Sequence, residues 1–166
     1  MSSKSRKAIA KGALAGAAAG VVASFAMNQF QTVLEKIKPK EESPSQPAEG
    51  EPATVKVANA VSHAVLSRDL WRDEKAPAGS AVHYAFGAAM GALYGALSEA
   101  SAASRLGFGT LFGTVLWFVA DEIAVPTFGL SKPPGTYPPS VHASALASHL
   151  VYGVTTDLVR RGLRAI

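Results

Sequence analysis

Four long segments of the chain carry almost no charge, and they constrain the fold more than any other feature. Residues 12–34 contain no Asp, Glu, Lys or Arg, and neither do residues 80–98. Each run reaches the roughly 18 to 20 apolar residues that a helix needs to cross the hydrocarbon core of a bilayer. Two further apolar runs, 106–125 and 141–159, have polar residues near one end. The sequence therefore predicts an all-α, polytopic membrane protein, folded as one domain with a bundle of four transmembrane helices.

Two other interpretations of these runs stay open. All four are rich in Ala and Gly and the mean hydropathy is only +0.17, so a soluble helical bundle is one alternative, although such a bundle should show polar faces. The other is a secretory signal peptide, since Lys4, Arg6 and Lys7 precede the first run. The Gly-rich first run lacks a clean small-x-small cleavage site before Asn28, which argues against that reading.

The long first connection, 35–79, has two parts. Its polar, Pro-rich opening predicts a disordered linker over 38–53. Residues 54–71 predict an amphipathic helix that Thr54 could cap. This helix would lie at the membrane interface or pack as a short soluble helix on the bundle, and its apolar side holds Val57, Val61, Ala64 and Val65.

The other connections set the topology. Residues 126–140 contain five prolines, which predicts a stiff cap without helix. Four spans place both termini on the same side as the short second connection, 99–105. Eight basic residues lie on that side, so the positive-inside rule predicts cytoplasmic termini.

The charge and the residue types exclude several classes of protein. The net charge of +4 comes with basic residues that flank the apolar runs instead of forming a patch with aromatics, so no nucleic-acid partner is predicted. With no Cys, disulfides and Cys-ligated metals are excluded. There is no Gly-x-Ser-x-Gly elbow and no phosphate-binding Gly loop. The sequence thus favours a non-enzymatic protein.

Small residues recur at every fourth position in the predicted spans. Such ridges allow helix backbones to approach closely in lipid. They predict helix packing, and they leave open a homo-oligomer or a structural subunit that docks another membrane protein. The glycines concerned are Gly12, Gly16, Gly20, Gly87, Gly91, Gly95, Gly109, Gly113 and Gly153.

The ridges lead into polar residues that gather at one end of the bundle. His149 lies seven residues after His142, about 10 Å deeper at ~1.5 Å per residue. The others close the first and third spans or open the second and fourth, so they share the side opposite the termini: Asn28, His83, Asp121, Glu122 and His142.

Ionisable groups inside a membrane bundle normally pair, bind something or relay protons. One interpretation of this cluster is mutual pairing and helix capping at the interface. A second is a site that changes charge in mild acid, since an imidazole titrates near pH ~6.5. A third is a metal or haem site with His83, His142 and His149 as candidate ligands, although no short ligand motif is present. No cofactor is predicted.

Several stretches together resemble the YagU-like family of small bacterial inner-membrane proteins of unknown function (domain of unknown function 1440). They are His83-Tyr-Ala-Phe-Gly-Ala-Ala-Met-Gly-Ala-Leu-Tyr-Gly95, the Asp121-Glu122 pair followed by Pro126 and Gly129, Pro138-Pro139-Ser-Val-His142, and His149-Leu-Val-Tyr-Gly153. The resemblance implies a multi-pass protein of the bacterial inner (plasma) membrane and a link to survival in acid or to envelope maintenance. It implies no known reaction.

Overall fold

The computed structural model describes residues 2–37, 50–101 and 103–165. Within these ranges all regular structure is helical and no strand occurs, which confirms the all-α prediction. Most of the predicted linker, 38–53, lies outside the described residues. By length and composition, two helical segments could cross a membrane, Ser3–Ile37 and Ser104–Thr127.

Six α-helices account for most of the described chain, and 3₁₀ and π segments join some of them. In order, the elements are α1 (Ser3–Ile37), α2 (Ala53–Leu66), α3 (Arg72–Ala100), a 3₁₀ segment (Ala103–Gly109), α4 (Thr110–Trp117), a π-helix (Phe118–Ala124), α5 (Val125–Thr127), a 3₁₀ turn (Pro134–Thr136) and α6 (Pro139–Ala165).

The helices that contain the first two predicted spans begin eight or nine residues earlier than the apolar runs. In α3 the extension holds Asp73 and Glu74 in the first turn, where negative charge stabilises the positive end of the helix dipole. The Glu74 carboxylate also accepts a hydrogen bond of 2.8 Å from the backbone N–H of Trp71. Apolar composition therefore marks the part of each helix that could lie in lipid, while capping decides where the helix begins.

The prediction of one helix over 54–71 is wrong at its C-terminal end and in its cap. Helix α2 ends at Leu66 because Ser67 takes a left-handed conformation, and Pro52 rather than Thr54 precedes the helix. The buried face also differs from the predicted apolar side. Val55, Ala58 and Ser62 are buried, and α2 packs on α3, whereas Val61 and Val65 are exposed.

The prediction that the Pro-rich cap holds no helix is wrong at both of its ends. Pro126 lies in α5, and α6 begins at Pro139. Proline is compatible with the first turn of a helix because the N–H that it lacks has no partner there. Between these positions, residues Pro134–Thr136 form a 3₁₀ turn.

Helices α1 and α3 pack antiparallel with their backbones in direct contact. A methyl group added to any of the contacting glycines would overlap backbone or side-chain atoms of the facing helix. Only hydrogen atoms separate the two backbones, which suits Cα–H···O contacts between helices. The opposed pairs are Gly12 with Gly95, Gly16 with Gly91, and Gly20 with Gly87.

A second close approach joins the start of α4 to α6. Gly109 lies against the carbonyl oxygen of Gly153, and Gly113 against that of His149. Gly107, Phe108 and Gly109 all have positive φ angles, of 70°, 51° and 86°. Glycine adopts this conformation readily, so the chain turns sharply into α4 at this point.

The outer surface of the bundle is apolar, while its interior is small and partly polar. Ala23, Met27, Leu116 and Tyr152 form the buried apolar cluster. Large apolar side chains on the spanning helices point outward instead, including Val21, Val22, Phe25, Phe86, Leu93, Leu97, Leu111, Val115, Phe118, Val119, Ile123 and Leu158.

Candidate functional site

A cleft of about 520 Å³ opens at the end of the bundle opposite the termini. The π-helix, the start of α2, the Pro-rich connection and the first turns of α6 form its walls. Its charged and polar lining residues are Glu51, Lys56, Asp121, Glu122, Ser131, Lys132, Tyr137 and His142. Three of the six predicted cluster residues therefore line one accessible cavity.

The π-helix sets the positions of the two adjacent carboxylates on the cleft floor. Its wider turn is visible in the N–H of Val125, which donates to the carbonyl of Ala120, five residues earlier. Pro126 follows and has no N–H to donate, so the regular α ladder cannot continue there. Single π turns inside α-helices occur frequently at functional sites.

The first carboxylate pair joins Glu122 to His142. Nδ1 of His142 lies 2.6 Å from Oε1 of Glu122, and Nε2 lies 3.1 Å from the carbonyl oxygen of Pro134. A carbonyl oxygen can only accept, so Nε2 carries a hydrogen. The imidazole thus bridges the π-helix to the Pro-rich connection, with 27% of the His142 and 15% of the Glu122 side-chain surface exposed.

The second pair joins Asp121 to His149, two turns further along α6. Nδ1 of His149 lies 3.6 Å from Oδ2 of Asp121 and 2.9 Å from the carbonyl oxygen of Ala145. The hydrogen on Nδ1 therefore points to that carbonyl, and the contact with Asp121 is electrostatic. The Asp121 side chain is 37% exposed and faces the cleft, whereas His149 is buried.

The other two predicted residues lie outside the cleft lining. The Asn28 amide donates to the hydroxyl of Tyr84 over 3.5 Å. His83 lies beside Tyr84, with ring centroids 5.6 Å apart, and its Nε2 atom is buried without a hydrogen-bond partner in the described chain. The six residues thus form two ion-pair sites and a separate α1/α3 contact. Among the described residues, no group of three or more His, Asp or Glu could hold a metal ion.

Polar contacts hold α2 against the Pro-rich connection and join the residues after α2 to the start of α3. Nζ of Lys56 donates to the carbonyl of Leu130 over 2.9 Å. Arg68 donates to both carboxylate oxygens of Glu74, at 2.7 and 2.8 Å. These hydrogen bonds, with that from the Trp71 backbone, lower the pKa of Glu74 to about 2, and the Glu74 carboxylate in turn raises the pKa of Arg68.

A second charged cluster lies at the end that carries the termini, and sequence reasoning missed it. We name it the arginine cluster: Glu99, Asp157, Arg160, Arg161 and Arg164. Asp157 is fully buried and pairs with Arg160 over 3.2 Å and with Arg161 over 2.7 Å. Arg164 pairs with Glu99 over 2.9 Å. The spacing of Asp157 from the two arginines, three and four residues, is the signal that could have revealed it.

Comparison with known proteins identifies the family. The sequence profile of a family described as "Protein of unknown function (DUF1440)" matches residues 38–158. The chain belongs to this family. The resemblance inferred from the sequence is therefore confirmed, and the match covers every helix from α2 to most of α6. No curated protein and no solved structure matches the chain.

Proposed function

We propose that this family member is an inner-membrane protein of bacteria that crosses the bilayer four times, through α1, α3, the segment Ser104–Thr127 and α6. The observation that carries the proposal is the exposure of its apolar segments. Only 33% of the most apolar window of Ser3–Ile37 is buried, and only 11% of that of Ser104–Thr127. The core helix of a soluble protein buries its apolar residues. An apolar surface of this extent requires lipid or another apolar partner.

The charges support an orientation with both termini in the cytoplasm. Positive charge collects on the cytoplasmic side of membrane proteins. The basic residues at the termini end are Lys4, Arg6, Lys7, Lys11, Arg105, Arg160, Arg161 and Arg164. In this orientation the cleft faces the extracytoplasmic side.

Membrane insertion and orientation can be tested with single cysteines, since the chain has none. We would introduce Ser131→Cys beside the cleft and Ser2→Cys at the N-terminus, and label intact cells with a membrane-impermeant maleimide. We expect carbonate-resistant membrane association, labelling of the first variant in intact cells, and labelling of the second only after lysis. Release by carbonate, or equal labelling of both variants in intact cells, would overturn the proposal.

We further propose that the cleft responds to external protons and that the protein has no enzymatic activity. Glu122 and His142 attract one another as full charges only when the imidazole carries both of its protons. In mild acid the pair therefore links the π-helix to α6 more strongly than at alkaline pH. The other charged side chains that line the cleft are Glu51, Lys56, Asp121 and Lys132. Such a site suits a role in acid tolerance or envelope maintenance.

Thermal unfolding in mild detergent tests this response. The matched variants are His142→Gln, which keeps a polar side chain without a titratable ring, and His63→Gln, at a histidine whose side chain is 67% exposed. We expect His142→Gln to reduce stability more at about pH 5 than at about pH 8, because an unperturbed imidazole titrates near pH ~6.5. Parallel pH profiles for the two variants would contradict a proton response.

A further inference from the structure

The two ends of the bundle differ in net charge. At the termini end, the described chain carries eight basic residues and two acidic ones, Glu99 and Asp157. At the cleft end, it carries six basic and seven acidic residues. An excess of positive charge on one surface attracts anions and raises their local concentration. The termini end is therefore the surface on which an anionic partner would bind.

Five of these basic side chains are exposed and form no ion pair with another described residue. The two acidic residues pair with the arginines of α6 instead. Asp157 pairs with Arg160 and Arg161, and Glu99 pairs with Arg160 and Arg164. The charge of the other basic residues therefore stays available to a partner. These five are Lys4, Arg6, Lys7, Lys11 and Arg105.

The five residues lie at the starts of the two segments that could cross a membrane. Four are near the start of α1, and the fifth is the second residue of Ser104–Thr127. Both starts contact the end of α3. The side chain of Glu99 lies against Gly12 of α1, and the Ser104 hydroxyl donates to the carbonyl of Leu97 over 2.8 Å. The two segments therefore begin at the same level of the bundle, and their basic residues would meet the same side of a bilayer.

Large apolar side chains are exposed next to the basic ones. Leu106 and Phe108, in the turn that leads into α4, are 63% and 62% exposed, and Leu163, between two arginines of α6, is 44% exposed. Basic residues beside exposed aromatic and aliphatic side chains are typical of surfaces that lie at the interface of an anionic membrane. A free phosphate ion makes no use of such apolar neighbours, whereas a phospholipid presents its headgroup next to acyl chains.

Arg161 is held in a fixed orientation at this surface. Its Nε lies 2.7 Å from Oδ2 of the buried Asp157, while 43% of its own side chain is exposed. The guanidinium carbon lies 5.0 Å from the centre of the Phe108 ring. Phe108 has a φ of 51°, a conformation that bulky residues rarely adopt and that persists only where the surroundings enforce it. With Nε on Asp157, the two terminal nitrogens are the donors left for a phosphate group, which arginine binds in a bidentate geometry.

We propose that the termini end binds the headgroups of anionic phospholipids in the cytoplasmic leaflet, with Arg161 and Phe108 at the centre of the site. Arg161 donates to the phosphate oxygens, and the exposed Phe108 ring packs against the upper part of the acyl chains. The five unpaired basic residues concentrate anionic lipid around this site. The inference rests on the proposed four-span topology and goes beyond its orientation, because positive charge can select the cytoplasmic side without binding any lipid in particular.

Lipid titration of the purified protein tests this site. The full chain in a neutral detergent is mixed with increasing mole fractions of phosphatidylglycerol, or of phosphatidylcholine with the same acyl chains, and its unfolding temperature is measured. We expect phosphatidylglycerol to stabilise the protein at the lower mole fraction. Arg161→Gln should raise the half-saturating mole fraction of phosphatidylglycerol about fivefold, the equivalent of ~1 kcal/mol for one basic residue near an anionic surface. Arg72→Gln is the control, at an exposed arginine of the cleft end, and should leave that mole fraction unchanged.

The double variant Lys4→Gln/Lys7→Gln tests the same surface at exposed residues that have no ion pair to lose, and it decides the question if Arg161→Gln does not fold. We expect it to raise the half-saturating mole fraction at least fivefold. Equal stabilisation by the two lipids, or by inorganic phosphate in place of phosphatidylglycerol, would overturn this inference alone. So would surface variants that titrate like Arg72→Gln. Failure of the membrane proposal would appear instead as release of the protein by carbonate.

Discussion

The two ends of the bundle hold charged groups in different ways. At the cleft, Glu122 and His142 pair with 15% and 27% of their side-chain surfaces exposed. In the arginine cluster, Asp157 and Arg160 pair with 0% and 5% exposed. A partly exposed pair can gain or lose a proton at small cost, while a buried pair must keep both charges or leave one uncompensated. The cleft end is thus suited to respond to its surroundings, and the arginine cluster to fix the helices.

The largest effect on stability is expected when the buried carboxylate of Asp157 is removed. We expect Asp157→Asn to lower the free energy of unfolding by about 3 to 5 kcal/mol, because Arg160 loses its closest compensating charge. Thermal unfolding in detergent measures the loss. Asp69→Asn is the control, since that side chain is 72% exposed. Equal unfolding temperatures for the two variants would show that the buried pair does not fix the helices.

Two glycines with positive φ, one near each end, test the difference in packing. Gly109 has a φ of 86° and lies against Gly153, whereas Gly129 has a φ of 69° and no atom within 4 Å of an added Cβ. Alanine at either position should cost roughly 1 to 2 kcal/mol of backbone strain. Gly109→Ala should lower the free energy of unfolding by about 1 to 3 kcal/mol more, because the added methyl group also pushes α4 away from α6. Equal losses in unfolding experiments would contradict the close approach.

At the cleft, we expect a smaller loss of stability, and one that depends on pH, when the pair Glu122–His142 is broken. We expect Glu122→Gln to reduce stability by about 1 kcal/mol in mild acid, as for one charge-assisted hydrogen bond that is partly exposed. The loss should shrink towards alkaline pH, where the imidazole of His142 is neutral. The loss in Asp157→Asn should persist over the same range because arginine stays protonated. A loss in Glu122→Gln that is constant with pH would remove the distinction between the two ends.

The smallest effect is expected at Glu74, in the first turn of α3 and before its apolar run. The pKa of Glu74 is about 2 in the folded chain, against an ordinary value of 4.5. A carboxylate with a lowered folded-state pKa stabilises the fold above its unfolded pKa, and that stabilisation disappears as pH falls through the folded pKa. Glu74→Gln should therefore flatten the decline in stability between pH 4.5 and about 2. An unchanged decline, measured against Glu35→Gln, would contradict the assignment.

The apolar runs predicted the helices well because burial in lipid or protein leaves a clear mark on composition. The helix ends were harder to predict, since Trp71 and Glu74 set the start of α3 through a local cap. The sequence did not predict the π-helix, because periodicity assumes 3.6 residues per turn. No local pattern in residues 118–124 indicates a turn with more residues. The π-helix nevertheless decides which carboxylate meets which histidine.

The candidate site was predictable in its members but not in its pairing. Asp121, Glu122 and His142 line one cleft, as their places at the ends of the runs suggested, while His83 lies outside its lining, beside Tyr84. The arginine cluster was missed for a different reason. Arginines beside an apolar run are typical of interfacial anchors, and only the tertiary structure brings Glu99 on α3 to Arg164 on α6.

The glycine contacts between α1 and α3 have a consequence for alignment along the helix axes. Glycines repeat every four residues on both helices, so a slip of α1 by one turn would still oppose two glycine pairs out of three. Backbone contact therefore fixes the distance between the helices but distinguishes weakly between neighbouring registers. The side chains beside the outermost glycines, Glu99 next to Gly12 and Ser24 next to Gly87, make one register different from the next. A polar residue at each end thus determines the alignment of α1 with α3, which the glycine repeat alone does not determine.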